Sequence, residues 1–301
     1  MLFLNMEITF FGTSQAVPDK ERNQSSILLS YNSENILVDC GEGTQRQMKI
    51  AKFSACKLTK LLITHWHGDH ILGLPGLLQT LALNNYSKTL QVYGPKGTKK
   101  FFDLIMSIFI FRDKIKVQVN EIENGKFFEN KDFILTSAKM DHSSSCVAYS
   151  FTEKDKRRIK MNELKKIGVK EGPWIKQLQE GKNINHKNKK ILASKYTELK
   201  KGKKISFIFD TAYNENCVKL AKDSDLLISE ACFLGMHKEL AEERKHLTAE
   251  QTAKIAKQAK VKKLIVTHIS QRYPNKKIIL DEVRKTFKNS ELAHDFMNIK
   301  L

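Results

Sequence analysis

Three histidines and an aspartate fall within six positions of the stretch LLITHWHGDHILGLPG: His65, His67, Asp69 and His70. Imidazole nitrogens and carboxylate oxygens suit a borderline divalent cation such as zinc. The preceding LLIT reads as a strand, in which side chains two apart face the same way. His65 and His67 are therefore expected to converge as the strand runs out. Asp69 and His70 follow in the next turn and face a neighbouring point, so two cation positions are expected. Without a cation, four such groups packed at a strand end would be left buried, unpaired or mutually repelling.

A two-ion site needs further ligands. Of the nine histidines, His142 in AKMDHSSS and His268 in LIVTHIS sit at strand edges, and Asp210 ends the strand FIFDT, where a carboxylate could bridge two ions. Each of these alone is weak, since a lone histidine at a strand end is more often a satisfied structural residue; the cluster carries the argument. Two ions a short distance apart can lower the pKa of a shared water and clamp a phosphodiester.

The elements that must hold these residues follow from periodicity. The N-terminal MLFLNMEITFFGTS lacks a basic leader and carries Asn5 and Glu7, so it reads as a strand ending in a glycine turn rather than a signal peptide. SSILLSYNSENILVDCG reads as a hairpin, EGTQRQMKIAKF as a helix and KLTKLLITH as a strand. ILGLPGLLQTLALN is a turn followed by a helix, TLQVYGP a strand and KGTKKFFDLIMSIFIF a helix. KVQVNEI, FILTSAKM and CVAYSF read as strands. The second half echoes this order: strands KISFIFDT, DLLISEACF and KKLIVTHIS alternate with helices NENCVKLAKDS and TAEQTAKIAKQAK. The helix KIILDEVRKTF and one last strand near LAHDFMNIK follow. Two mixed sheets packed on each other, with helices on the outer faces, satisfy the pattern; the class is α+β.

The 301 residues suit one large domain or two small ones, and no unbroken apolar run reaches the roughly 18 residues of a membrane span. The net charge of +19 fits either a solvated Lys-rich surface or a polyanionic partner such as nucleic acid. Cys40, Cys56, Cys146, Cys217 and Cys232 form no Cys-x-x-Cys pair, which suggests reduced core residues in a cytoplasmic protein; Cys232 lies near the site, but nothing marks it as a nucleophile. Residues 153–204 are dense in Lys and Arg and poor in a core pattern. Leu164, Ile167, Trp174 and Leu178 supply a small apolar anchor there, so a partly ordered inserted arm is expected within a single catalytic domain spanning 1–301.

With these residues in view, the sequence resembles the metallo-β-lactamase superfamily, through His-x-His-x-Asp-His and the later His142, Asp210 and His268. Within it the chain is similar to the ribonuclease Z family of tRNA 3′-processing endoribonucleases. FFGTSQAVPDKERN, VDCGEGTQRQM, HGDHILGLPGLLQT, VYGPKG, EGPWIKQLQEGKNI, SEACF, HLTAEQTA and THISQRY carry that likeness nearly end to end. The resemblance implies a four-layer αββα sandwich. It implies two zinc ions per subunit, one held by His65, His67 and His142, the other by Asp69, His70 and His268, with Asp210 bridging. It also implies a homodimer acting on precursor tRNA, in which the basic arm, with Gly172 and Pro173, is an exosite that helps hold tRNA for the other subunit.

The expected reaction has an activated water attacking phosphorus in line with the leaving 3′ oxygen, Asp69 accepting the water's proton, and His246, oriented by Glu230, protonating the leaving oxygen. On residues alone, His246 reads instead as a position just before a helix that Thr248 caps. Lys20, Arg22, Asn23 and Arg272 are candidate contacts to phosphate or the RNA end. His186, His237 and His294 match no ligand position, while Ser229, Phe209 and Leu247 depart from commoner family residues. Two other readings compete: a related binuclear zinc hydrolase of small esters, and an RNA-binding protein that has lost its chemistry.

Overall fold

The computed structural model describes residues 6–109, 115–186 and 189–301. The expected strand residues before Met6, the expected helix end at 110–111 and arm positions 187–188 lie outside the described residues.

Two seven-stranded sheets form the first of two compact units. The first sheet runs, edge to edge, Asn298–Lys300, Met6–Gly12, Ser26–Tyr31, Glu34–Val38, Lys60–Leu62, Thr89–Gly94 and Lys116–Glu121. Its early strands pair antiparallel, and Glu34–Val38 onward pair parallel. The second sheet runs Ser290–Leu292, Lys263–Thr267, Leu226–Glu230, Lys204–Ile208, Cys146–Glu153, Phe133–Met140 and Gly125–Glu129. Its first four strands are parallel; Leu226–Glu230 is buried throughout, and Lys204–Ile208 and Lys263–Thr267 are buried after their first residue, as near-continuous apolar runs such as LLIS and FIF require when both sheet faces are covered.

Alternation divides each sheet's side chains between two cores. Phe11, Leu37, Leu61 and Val92 pack outward with Leu74, Leu77, Leu78 and Leu81 of the Leu74–Leu83 helix. Ile208, Leu227, Leu264 and Val266 pack outward with Ala253 and Ile255 of the Ala249–Gln258 helix and with Ile279 and Val283 of the Lys277–Thr286 helix. The inner faces meet: the Tyr31 and Phe151 rings lie 5.2 Å apart, and the Tyr149 hydroxyl donates to the carbonyl of Ile63 at 2.6 Å. This is the expected αββα arrangement.

The second unit comprises residues 129–134 and 152–203. Lys156–Ile159 pairs with Thr197–Lys200, and Ile184–His186 with Lys189–Ile191. Three short helices, Met161–Lys166, Ile175–Gln179 and Ala193–Tyr196, complete it. Its core is Leu164, Val169, Leu178, Ile184, Ile191 and Ala193, with Trp174 against them. This corrects the expectation of a segment poor in a core pattern. The buried residues are spread over elements of three to six residues, too short to show a periodic stripe, and Ile167 is 41% exposed rather than an anchor.

Two further expectations are corrected. The strand before the histidine run stops at Leu62, so His65 and His67 are set by a loop and not by strand pleating. The single last strand is two, Ser290–Leu292 on the second sheet and Asn298–Lys300 on the first, because the chain crosses back between sheets at its end. Ile228 is wholly buried in a central strand of the second sheet. Ile228→Ala should therefore lose about 2–5 kcal/mol of stability in urea unfolding followed by circular dichroism; a loss below about 0.5 kcal/mol would show that the interior relaxes around the deletion.

Candidate metal centre

Seven side chains expected as ligands gather where the strands of both sheets end. One group joins His65, His67, His142 and Asp210; another joins Asp69, His70, Asp210 and His268; within each, the ligand atoms lie within 4.8 Å of one another. The atoms that converge are specific. His65 Nε2 is 3.0 Å from His67 Nδ1, which is 3.1 Å from His142 Nε2. On the other side His70 Nε2 is 3.1 Å from His268 Nε2, which is 3.3 Å from Asp69 Oδ2. Asp210 belongs to both groups: its Oδ2 lies 3.6 Å from His65 and its Oδ1 3.3 Å from His268 Nδ1.

The outer nitrogens explain why these nitrogens face inward. His70 donates Nδ1–H to Asp39 Oδ2 at 2.7 Å, and His142 donates Nδ1–H to the carbonyl of Lys245 at 3.1 Å. The Thr64 hydroxyl donates to Asp39 Oδ2 at 2.8 Å and accepts from His65 Nδ1–H at 3.1 Å. The outer nitrogen of each ring is thereby committed and the inner one faces the centre, the usual way a protein orients a metal-binding histidine.

Local backbone sets the positions. Val38 is level with Leu62 in neighbouring parallel strands, so Asp39 falls at the same sheet edge as the histidine loop. Gly73 packs against the backbone of Gly41, where an added Cβ would stand 2.0 Å from the Gly41 carbonyl oxygen. Together with the bond from Cys40 N–H to the His70 carbonyl at 2.8 Å, this clamps the turn after Asp39 against the short Gly68–Ile71 helix. His268 follows its strand with φ 55°, a left-handed conformation that costs a non-glycine residue of the order of 1 kcal/mol. Asp69 Oδ2 also accepts the amide of Ala16 at 2.8 Å.

Charge sorts these groups. Burial first, and then charge on His70, hold His65 well below the usual histidine range; burial likewise lowers His142. Burial pushes the Asp210 carboxyl up, but the surrounding histidines, His268 first, outweigh it and hold it well below the carboxylate range. Burial would also lower His70, but Asp69, Asp210 and Asp39 outweigh it and favour positive charge there. Oδ1 of Asp210 is buried and accepts no hydrogen bond among the described residues. Such an oxygen costs free energy unless positive charge compensates it. Two sets of nitrogen and oxygen donors around an unsatisfied carboxylate oxygen fit divalent cations.

Beside this centre, His246 donates Nδ1–H to Glu230 Oε2 at 3.1 Å, and its Nε2 stands 4.0 Å from Asp210 Oδ2 and 3.4 Å from the Gln15 amide nitrogen. Glu230 is wholly buried and also accepts the Thr211 amide at 2.7 Å. Burial pulls His246 down, but Glu230 and then Asp210 outweigh it and lift the imidazole to about 9. The bland reading of its neighbour also holds: Thr248 and Gln251 form a capping box at the following helix.

The expected substrate contacts differ in setting. Lys20 and Arg272 are exposed. Arg22 instead turns inward, donating from Nη1 to Thr13 Oγ1 and the Ala293 carbonyl, both at 2.8 Å, and Asn23 donates from Nδ2 to the Glu42 carbonyl. Gly172 and Pro173 belong to the second unit. Of the departures from commoner family residues, Phe209 is buried in the core, and the Ser229 hydroxyl donates to the Glu230 carbonyl at 3.2 Å. Residues that sequence reasoning passed over are Asp39, Thr64 and Gln15; the sequence places Cys232 near the site without a role. Only Asp39 carried a signal, an acid closing a strand level with the histidine loop.

Two packed mixed sheets with this histidine and aspartate pocket at their strand ends define a protein of the metallo-β-lactamase fold. A metallo-β-lactamase fold protein of Bacillus subtilis, YhfI, shares it with a TM-score of 0.73 at 18% identity, covering 99% of this chain and 100% of that one. A family profile described as anti-Pycsar protein Apyc1 matches residues 6–106. The chain is 38% identical over 297 residues to the ribonuclease Z of Methanothermobacter thermautotrophicus, covering 98% of this chain and 97% of the relative. Human tRNase Z, short form, is 28% identical with a TM-score of 0.72, covering 98% of each chain. The chain belongs to the ribonuclease Z family.

Because Asp39 holds His70 directly and His65 through Thr64, Asp39→Ala should lower metal affinity by about 10–100-fold in a chelator competition, with the folded circular dichroism spectrum kept. Unchanged affinity would show that the imidazoles hold their orientation without it.

Proposed function

We propose that the chain is a metal-dependent endoribonuclease that removes the 3′ trailer from precursor tRNA, leaves a 3′-hydroxyl on the tRNA, and works with two zinc ions as a cytoplasmic homodimer. The observation that carries the reading is the double cluster sharing Asp210, in a chain 38% identical to a ribonuclease Z over nearly its whole length. Among the described residues no helix is long and apolar enough to cross a membrane.

His65, His67, His142 and Asp210 would hold one cation, and Asp69, His70, Asp210 and His268 the other. Bound there, such ions supply a water of lowered pKa and neutralise charge on the scissile phosphate. The chain's own groups do the rest. Asp69 accepts the proton of the attacking water. His246 carries its transferable proton on Nε2, the nitrogen facing the centre, while Glu230 accepts Nδ1–H and stabilises the imidazolium. That proton goes to the leaving 3′ oxygen of the tRNA. Lys20 and Arg272 reach phosphates from the exposed rim. Arg22 and Asn23 act indirectly, by fixing the loop that presents Lys20. The basic second unit, with Gly172 and Pro173, binds the folded RNA through phosphates, with strong salt dependence. A small-ester hydrolase has no use for that basic unit.

A labelled precursor tRNA tests the reading: cleavage with a 3′-hydroxyl on the tRNA half, lost on adding chelator, is expected. No cleavage by fully metal-loaded protein would overturn it. His246→Ala should lower turnover by about 10²–10⁴-fold with bound metal unchanged; full turnover would remove the acid role. The His246 proton is present below its raised pKa and lost above it, so activity should fall on the alkaline side. Glu230→Gln removes the carboxylate that raises that pKa, and should move the alkaline limb to lower pH. An unmoved limb would assign it to another group.

A further inference from the structure

A second constellation of ligand-type atoms adjoins the centre, and the reaction uses only part of it. Glu230, Cys232, His246 and His268 bring a carboxylate oxygen, a sulfur and two ring nitrogens within 4.8 Å of one another. All four are buried, with His246 the most exposed at 8%. Cys232 Sγ lies 3.5 Å from His246 Nδ1 and 3.2 Å from His268 Nδ1, and His246 Nδ1 lies 3.1 Å from Glu230 Oε2. A tetrahedral ion with sulfur at about 2.3 Å and nitrogen or oxygen at about 2.0–2.1 Å places its ligand atoms roughly 3.3–3.6 Å apart. The observed separations are close to that.

We propose that Glu230, Cys232 and His246, with His268 at the rim, form a separate binding position for one soft divalent cation, and that filling it inhibits the enzyme. The donors differ from those of the double cluster, which contains no sulfur. His268 is committed through Nε2 to Asp69 and His70, so its Nδ1 borders the position while the other three residues hold the ion. Binding displaces the thiol proton of Cys232 and the Nδ1 proton of His246 to solvent, and Glu230 exchanges its hydrogen bond for a bond to the ion. A sulfur among the donors selects cations with high thiolate affinity. Cadmium and excess zinc meet that condition; magnesium and manganese, which prefer oxygen, do not. Occupancy ties down the imidazole that donates the proton. This inhibitory consequence rests on the proposed role of His246; the binding position does not.

Titrating cadmium into the zinc-loaded full chain tests both parts. One further equivalent should produce a thiolate-to-cadmium charge-transfer absorption and stop cleavage of precursor tRNA, while manganese at the same concentration does neither. Exchange of cadmium into the double cluster gives no such band. Cys232→Ser should lose the band and raise the half-inhibiting cadmium concentration at least about tenfold. Cys56→Ser, at the one free cysteine that is not fully buried, should change neither. No band in the wild type, or a band that persists in Cys232→Ser, overturns the site. A band with cleavage unaffected overturns the inhibition. Should Cys232→Ser fail to fold, anomalous diffraction from cadmium-soaked wild-type crystals decides: a peak among Sγ, His246 Nδ1 and Glu230 supports the site, and its absence overturns it. A Cys232-dependent band in a protein that cuts no tRNA keeps the site and rejects the proposed activity instead.

Discussion

The carboxylate of Asp210 is buried just beyond the end of the Lys204–Ile208 strand, between two clusters of imidazoles, with one oxygen that accepts no hydrogen bond among the described residues. Removing a carboxylate from water costs several kcal/mol unless positive charge or donors replace its hydration. Here the groups that face it are histidines, and burial drives one of them, His65, toward its neutral form. The remaining compensation is cationic. That requirement orders the centre: each of the other six expected ligands approaches the space beside this carboxylate, and the strands that deliver them end at one edge.

Holding such a centre takes a rigid surrounding. Asp39 performs most of that task, since it accepts from the Thr64 amide, the Thr64 hydroxyl and His70 Nδ1 while wholly buried. Its own φ of 58° is the left-handed conformation that aspartate tolerates better than most residues. The strained His268 is pinned by neighbours too: Ile269 N–H donates to the Thr13 carbonyl, and the Cys232 thiol donates to the His268 carbonyl at 3.2 Å. Strain of this kind persists only where packing over-determines it.

The loop after the first strand links the centre to the outer surface. Asp295 accepts from the Thr13 hydroxyl, the Asn23 amide and Gln47 Nε2, and burial raises its carboxyl despite those bonds. Arg22 completes this network from inside. The loop that offers Lys20 to solvent is therefore fixed by a network behind it, which accounts for an arginine in a phosphate-like motif facing the protein. The second unit is built differently: a small core of Leu164, Leu178, Ile184 and Ile191 supports a Lys-rich exterior, so its charge is carried on a folded scaffold.

Donor chemistry and local periodicity were readable without coordinates. The spacing of His65, His67, Asp69 and His70, the apolar runs of the parallel strands and the Thr248 cap each depend on neighbours a few residues away, and such signals survive in one dimension. The partners of those residues did not. His70 and His268 are 198 positions apart, and only sheet register brings their Nε2 atoms to 3.1 Å. Asp39 and Cys232 gained their meaning the same way, through the strands that carry them, and Arg22 turns inward because Thr13 and the Ala293 carbonyl accept from it. The sequence by itself determined which atoms this protein brings to a cation and which strands can be buried; the tertiary structure alone decided which nitrogen of each ring faces inward, because that depends on hydrogen bonds between residues that only packing makes neighbours.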